Sequence, residues 1–421
     1  MSNVEVFLDW RRQCRRIGLL RRHSGRGRET VTFEYDPQWL QASDRFSMDP
    51  ALPVGRGVFR PPAGVEMFGT LGDSAPDTWG RMLMRRRERR AAEREDRAVR
   101  TLHEADFLLG VSDITRLGAL RFRWQGDEMF QAPQHHGVPT MLALGKLLGA
   151  SERIVRGDET DEDLLMVFAP GSSLGGARPK ASVMDRHGRL SVAKFPKETD
   201  EYSLERWEAI ALDLAARAGV NTARHELHDV GARPVLLSQR FDRRGDERIP
   251  FLSAMSMTQH RDGDRGSYLE IVDALAEQGA NARVDRFELF KRVAFSILIS
   301  NVDDHLRNHG FLWKGVFGWS LSPAYDINPT PQDIKPRILA TNIDLDDGTC
   351  SIELLRSVAE AFSLKLTEAD SAIRAIAQVC QCWRDVARQR GAPVAEIKRM
   401  ESAFEHQDLE QALGLGATGV S

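Results

Sequence analysis

Apolar and polar residues alternate at 4–8 (V-E-V-F-L) and again at 31–35 (V-T-F-E-Y), the period of two expected of half-buried strands. Proline and glycine then punctuate F-R-P-P-A-G-V and F-G-T-L-G-D-S-A-P-D-T-W-G, and Asp77 is placed to cap a helix running through Met84. A segment ending in L-G-A-L-R-F completes a first mixed α/β module over 1–125, and the polar stretch 125–139, with Gly126, Pro133 and Gly137, reads as a linker.

Helical spacing resumes at 140–155 and 161–169, before the glycine-rich run A-P-G-S-S-L-G-G-A-R-P-K. Strands are expected at 181–184 and 190–195 around the turn D-R-H-G, making a hairpin. A helix follows over 202–218, closed by Gly219, and then a short apolar strand at 234–241. From Ser267 onward helices dominate, at 267–278, 285–300, 351–362, 367–390 and 393–413. Strands first and helices second make an α+β chain of two lobes, protein-kinase-like, with a mixed N-terminal lobe and a mainly helical C-terminal lobe. The expected boundaries are 1–125, 140–245 and 246–421.

Charge and cysteine content narrow the function classes. A formal charge of −3 and a pI near 6.4 argue against nucleic-acid binding by bulk electrostatics. Two basic runs stand out, 11–28 and 85–100, both built from arginine. The second interleaves Glu and Asp at helical spacing, so it reads as a solvated helix laced with ion pairs, with a phosphate-binding surface as the alternative. Cys14, Cys350, Cys380 and Cys382 lack both zinc spacing and a paired framework, as free thiols in a reducing cytosol would. No apolar run reaches the ~20 residues that span a bilayer, and no signal-peptide core is visible; a cytoplasmic protein without membrane contact is expected.

The chemistry concentrates in S-N-V-D-D-H-L-R-N, where Asp303 precedes Asn308 by five residues, and in S-P-A-Y-D-I-N-P, which supplies Asp326. That order suits phosphoryl transfer: a carboxylate for the substrate hydroxyl proton, an amide oxygen for a metal, then a carboxylate for Mg2+. The five-residue step selects Asp303 over Asp304 as the base. Asp303, Asp304 and His305 could instead ligate a hydrolytic metal, but no second His/Asp cluster completes such a site. Lys194, on the second arm of the hairpin, could pair ATP phosphates, and Glu208 is either its partner or an exposed acid. The run 171–180 lacks the Gly-Lys-Ser/Thr of a Walker A loop. Its backbone could still approach an anion that Lys180 neutralises, and Ser172 and Ser173 are candidates for self-phosphorylation. Backbone groups near Q-R-F-D-R could read an adenine edge beside Phe241.

Assembled in this order, the chain resembles the HipA family of serine/threonine protein kinases, the toxins of type II toxin–antitoxin modules. F-R-P-P-A-G-V with L-G-D-S-A-P-D-T-W-G is similar to the family's N-terminal subdomain, and S-S-L-G-G-A-R-P-K to its glycine-rich loop. R-F-D-R resembles its interlobe strand, N-V-D-D-H-L-R-N its catalytic loop and L-S-P-A-Y-D-I its metal-binding loop. The resemblance implies a non-specific serine/threonine kinase using ATP and Mg2+, with Asp303 as base and Asn308 and Asp326 as metal ligands. Ser173, Gly175, Gly176, Lys180, Lys194, Gln239, Arg240, Phe241 and His305 would join them around the nucleotide. Ser173 would be the autophosphorylated serine that silences the enzyme. The implied partners are a HipB-like helix-turn-helix antitoxin, operator DNA reached mainly through it, and a protein substrate such as the glutamyl aminoacyl-tRNA synthetase. Phosphorylation of that substrate would arrest translation and growth and promote persistence. A catalytically idle co-repressor is the alternative.

Overall fold

The computed structural model describes residues 3–25, 28–132, 137–168 and 176–416. The chain divides into two compact units, one of Met1–Thr199 with His228–Arg261, the other of Asp200–Leu227 with Asp262–Ser421.

In the first unit, β1 (Asn3–Trp10), β2 (Gln13–Gly25), β3 (Arg28–Tyr35), β4 (Val58–Phe59) and β5 (Leu120–Trp124) form a sheet of order β4-β3-β2-β1-β5. The two predicted strands are present, and the arginine-rich run between them is itself β2. Its arginines are held by carboxylates: Arg16 lies 2.7 Å from both Glu5 and Asp36, and Arg22 reaches Glu29 and Asp106. Gly18 sits where any side chain would collide with the ring of Phe33.

Asp77 caps α1 (Thr78–Arg94) by accepting a hydrogen bond from the Gly80 amide at 2.9 Å. The helix continues well past the expected end at Met84, because the Arg/Glu-rich stretch that follows has good helix propensity and finds partners. The short helix α2 (Glu104–Gly110) precedes β5. Next come α3 (Leu144–Arg156), α4 (Asp161–Phe168) and the sheet β6 (Lys180–Met184), β7 (Leu190–Lys194), β8 (His225–Val230) and β9 (Arg233–Gln239), in order β6-β7-β9-β8. A core of Trp79, Leu83, Leu147, Ile154, Val183 and Leu237 joins α1 and α3 to this sheet. The ribbon β10 (Arg243–Arg244) with β11 (Glu247–Arg248), then β12 (Phe251–Ser253), completes the unit. Part of the expected linker is built in, since Gln131 and Ala132 donate backbone hydrogen bonds to Phe122 and Val111.

The second unit contains α5 (Leu204–Arg217), α6 (Tyr268–Gln278), α7 (Ala282–Leu298) and the hairpin β13 (Gly310–Trp313) with β14 (Trp319–Leu321). Helices α8 (Ile352–Ser357), α9 (Leu366–Cys380), α10 (Trp383–Gln389), α11 (Val394–Arg399), α12 (Glu401–Phe404) and α13 (Gln407–Gly414) follow. The long helices expected at 367–390 and 393–413 are therefore broken. Tertiary packing overrides local propensity here: Trp383 stacks on Phe404 with ring centroids 4.6 Å apart, and Trp207 of α5 lies against both. All four cysteines are free, with Cys350 and Cys380 buried. Among the described residues no helix is long and apolar enough to cross a membrane.

Candidate active site

The candidate catalytic residues of the second unit follow α7. The apolar residues of that helix's C-terminal part, Leu289, Phe290, Val293, Phe295, Ile297 and Leu298, are buried, and Ser300 just beyond takes a left-handed φ of 54° that turns the chain out of the helix. The loop that follows separates the two adjacent aspartates. Asp304 points inward and is 4 % exposed; its carboxylate accepts from the Tyr268 hydroxyl at 2.5 Å and from Ser296 at 3.3 Å. His309 Nε2 lies 3.1 Å from its other oxygen. Burial pushes the Asp304 carboxyl up, but His309 and the Tyr268 hydrogen bond outweigh it and leave the pKa below the ordinary aspartate value. Asp303 points outward, with its side chain 65 % exposed and Lys335 Nζ 3.1 Å away. The geometry thus separates a structural carboxylate from an accessible one.

Asn308 is held against the same loop by its Nδ2, which donates to the Asp303 carbonyl at 3.2 Å, and by its backbone amide, which donates to His305. Its Oδ1 is buried and accepts no hydrogen bond from any described residue. An orphaned buried amide oxygen is costly unless a ligand completes it, and a hard cation is the partner an oxygen donor suits. Asp326 adopts φ 57°, unusual for a residue other than glycine, and Asn328 donates to its Oδ1 at 3.2 Å. Two contacts tie this second loop to the first: Tyr325 donates to the Arg307 carbonyl at 2.6 Å, and the Asn328 amide donates to Asn301 Oδ1 at 2.9 Å. Asn308 and Asp326 carry oxygen donors of the kind a hard cation such as Mg2+ takes, and they are the residues here that could hold one. The described residues contain no cluster of three or more His, Cys, Asp or Glu that could hold a metal. His305 Nδ1 is also buried without a hydrogen-bond partner among the described residues.

The expected nucleotide residues belong to the first unit, apart from His305, Asn308 and Asp326. Lys180 and Lys194 stand opposite each other at the start of β6 and the end of β7, the predicted hairpin. Lys180 is almost fully buried: its ammonium pairs with Asp77 at 2.8 Å and donates to the Gly176 carbonyl at 3.2 Å. In this state it anchors the end of the glycine-rich run to the cap of α1. Ser173 and Gly175, like Ser172, lie outside the described residues, whereas Gly176 has a left-handed φ of 68°. Gln239, at the end of β9, pairs with Ser191, and its Oε1 is buried without a hydrogen-bond partner among the described residues. Arg240 is buried: its guanidinium grips the buried Asp242 at 2.6 Å and donates to the Thr115 carbonyl. Phe241 packs against Phe251, with centroids 6.2 Å apart. Glu208 is buried on α5 rather than exposed.

Family models settle the relationship. The HipA-like C-terminal domain matches residues 172–385 and the HipA N-terminal domain matches residues 8–106. The chain belongs to the HipA family. Its fold is that of the HipA family, a two-lobe, kinase-like α+β architecture. It is similar over 98 % of its length, and 96 % of the other chain, to a structure of the Shewanella oneidensis MR-1 toxin antitoxin system comprising HipA, HipB and operator DNA. The TM-score is 0.69 and the identity 18 %. Two Sinorhizobium fredii proteins, named Putative kinase Y4mE and Putative kinase Y4dM, are 25 % identical over 194 residues and 31 % identical over 122 residues. These matches span 39 % and 28 % of this chain, and 44 % and 28 % of those relatives.

Sequence reasoning missed Tyr268, His309, Asn301, Asn328 and Lys335. Asn301 and Asn328 lie within the two motifs and His309 directly follows the first, whereas nothing in spacing marks Tyr268 or Lys335 as their neighbours.

Proposed function

We propose that this protein is an ATP- and Mg2+-dependent serine/threonine protein kinase of the HipA type, acting as the toxin of a toxin–antitoxin pair. The observation that carries the reading is the division of labour in the catalytic loop: an exposed Asp303, a buried and fully engaged Asp304, and an Asn308 oxygen left without a partner. Asp303 takes the proton of the substrate hydroxyl as that oxygen bonds to the γ-phosphorus. The bond to the β-phosphate oxygen breaks, and ADP leaves. Asn308 and Asp326 would hold Mg2+, which when bound neutralises charge on the phosphates. Lys335, whose ammonium lies 3.1 Å from Asp303, would orient that carboxylate. So exposed a pair adds little to stability. Lys194 and the backbone at Gly176 would contact the phosphates, and Gln239, Phe241 and His305 would line the nucleoside.

A HipB-like helix-turn-helix antitoxin, with operator DNA contacted mainly through it, is the proposed partner; the likeness to a HipA chain solved with HipB and operator DNA supports this. Ser173 is the proposed autophosphorylation site, and an aminoacyl-tRNA synthetase the proposed substrate class, both resting on the family resemblance. Phosphoproteomics of cells expressing the wild-type chain or Asp303→Asn tests the assignment. Phosphoserine on Ser173 and on a translation enzyme should appear only with the wild type. Identical phosphoproteomes would refute it.

A further inference from the structure

The arginine run at 85–100 is not simply a solvated helix face. Within the first unit it borders a cavity of about 510 Å3, lined among others by Arg22, Arg87, Arg90, Arg94, Arg100 and Trp124. None of these residues takes part in the proposed phosphoryl transfer. Five guanidinium groups face three lining carboxylates, Glu88, Asp106 and Asp161. Those acids are already shared. Asp161 lies 3.4 Å from Arg90 and 3.2 Å from Arg94, and Glu88 lies 2.6 Å from Arg97 and 3.5 Å from Arg100. Asp106 is 3.0 Å from Arg22, which also pairs with Glu29 at 2.6 Å outside the lining, and Arg90 lies 3.9 Å from Glu159.

Arg87, Arg90 and Arg94 recur on one side of α1, where like charges three and four residues apart repel. Burial, and then Arg94, hold the Arg87 pKa below the usual arginine value, in keeping with that crowding. A concave, positively biased wall concentrates the field on whatever enters it. Apart from Gln131, the rest of the lining is apolar, Met84, Leu102, Leu109, Leu164 and Leu165 among it, with Leu165 48 % exposed. Trp124 offers an aromatic face, with the Arg22 guanidinium 5.9 Å from its centroid.

We propose that this cavity is a second ligand site, for a small phosphorylated molecule carrying an aromatic ring, that is, a nucleotide. The volume is in the range of small-molecule pockets. Guanidinium groups recognise phosphate through paired hydrogen bonds, and the leucine and tryptophan wall suits a planar base. The site stands independently of the kinase reading.

Calorimetric titration of the full-length chain with each of the four ribonucleoside diphosphates, and with inorganic pyrophosphate, tests it. The variants are Lys194→Ala and the pair Arg90→Gln/Arg94→Gln, each checked for an unchanged thermal transition. At least one diphosphate should bind Lys194→Ala with unit stoichiometry. That binding should weaken by roughly tenfold or more when Arg90 and Arg94 are also replaced, and should weaken with added salt. If the kinase reading alone fails, the wild type also shows one equivalent, and the arginine pair still controls it. No diphosphate binding to Lys194→Ala at millimolar concentration, or binding indifferent to the arginine pair, would overturn the proposal. Pyrophosphate binding as tightly as every nucleotide would overturn the ring-bearing ligand.

Discussion

Asp303 and Asp304 are adjacent and chemically identical, yet the fold gives them opposite surroundings. The five-residue step to Asn308 selects Asp303 as the proposed base; in the structure Asp304 has its oxygens occupied by Tyr268, Ser296 and His309, while Asp303 meets solvent and Lys335. That much was legible because catalytic loop and motif are one contiguous stretch. The contribution of Lys335 was not, since it arrives from a loop far along the chain. The orphaned Asn308 oxygen leads to a prediction at this scale. In Asn308→Ala the Mg2+ concentration giving half-maximal phosphate transfer should rise about tenfold or more, as loss of one oxygen ligand removes part of the cation's binding energy. A Mg2+ titration of the initial rate measures it, and an unchanged midpoint would remove Asn308 from the metal site. Asp326→Asn retains the left-handed backbone preference while removing the charge, so it should fold like the wild type and transfer phosphate far more slowly. Thermal melts paired with rate measurements separate the two effects.

Among the elements, strands and the hairpin at Lys194 were readable from alternation, and α7 from its apolar run. The arginine-rich β2 was not, because its pattern is set by carboxylates on neighbouring strands and loops, such as Glu5 and Asp36, rather than by alternation of its own. Breaks between α9 and α10, and through α11 to α13, were equally hidden; they follow from where Trp383 and Phe404 must meet. Tyr268 at the start of α6 shows how an element distant in sequence steadies the catalytic loop. Tyr268→Phe deletes the hydroxyl that donates to the buried Asp304, so the free energy of unfolding should fall by about 1–3 kcal/mol. Urea denaturation with an unchanged m-value would register this, and an unaltered midpoint would show that the bond adds nothing to the fold.

At the scale of the whole molecule, the order of a strand-rich followed by a helix-rich half was legible, and the order of elements agrees with it. The way segments 200–227 and 228–261 are distributed between the two compact units could not be read from local pattern, because it depends on contacts across the chain. Stability should also carry a pH signature. Burial raises Asp49 and Asp73 to about 6, against the donors that partly satisfy them, including the Thr70 amide for Asp49 and Ser253 for Asp73. A carboxyl raised in the folded state binds its proton more tightly there than when unfolded. Its stabilising contribution is complete below the ordinary aspartate range and is lost as pH rises through about 6. Relative to the wild type, Asp73→Asn should therefore gain up to about 3 kcal/mol between pH 4 and pH 7, an order-of-magnitude figure, read from denaturation at each pH. A difference that does not change with pH would refute the buried-carboxyl account. The central claim, that Asp303 is the base of a phosphoryl-transfer site, is tested most directly by phosphate transfer from radiolabelled ATP by purified Asp303→Asn. That variant should bind nucleotide as the wild type does and transfer phosphate about 100-fold or more slowly. Transfer at the wild-type rate would contradict the account.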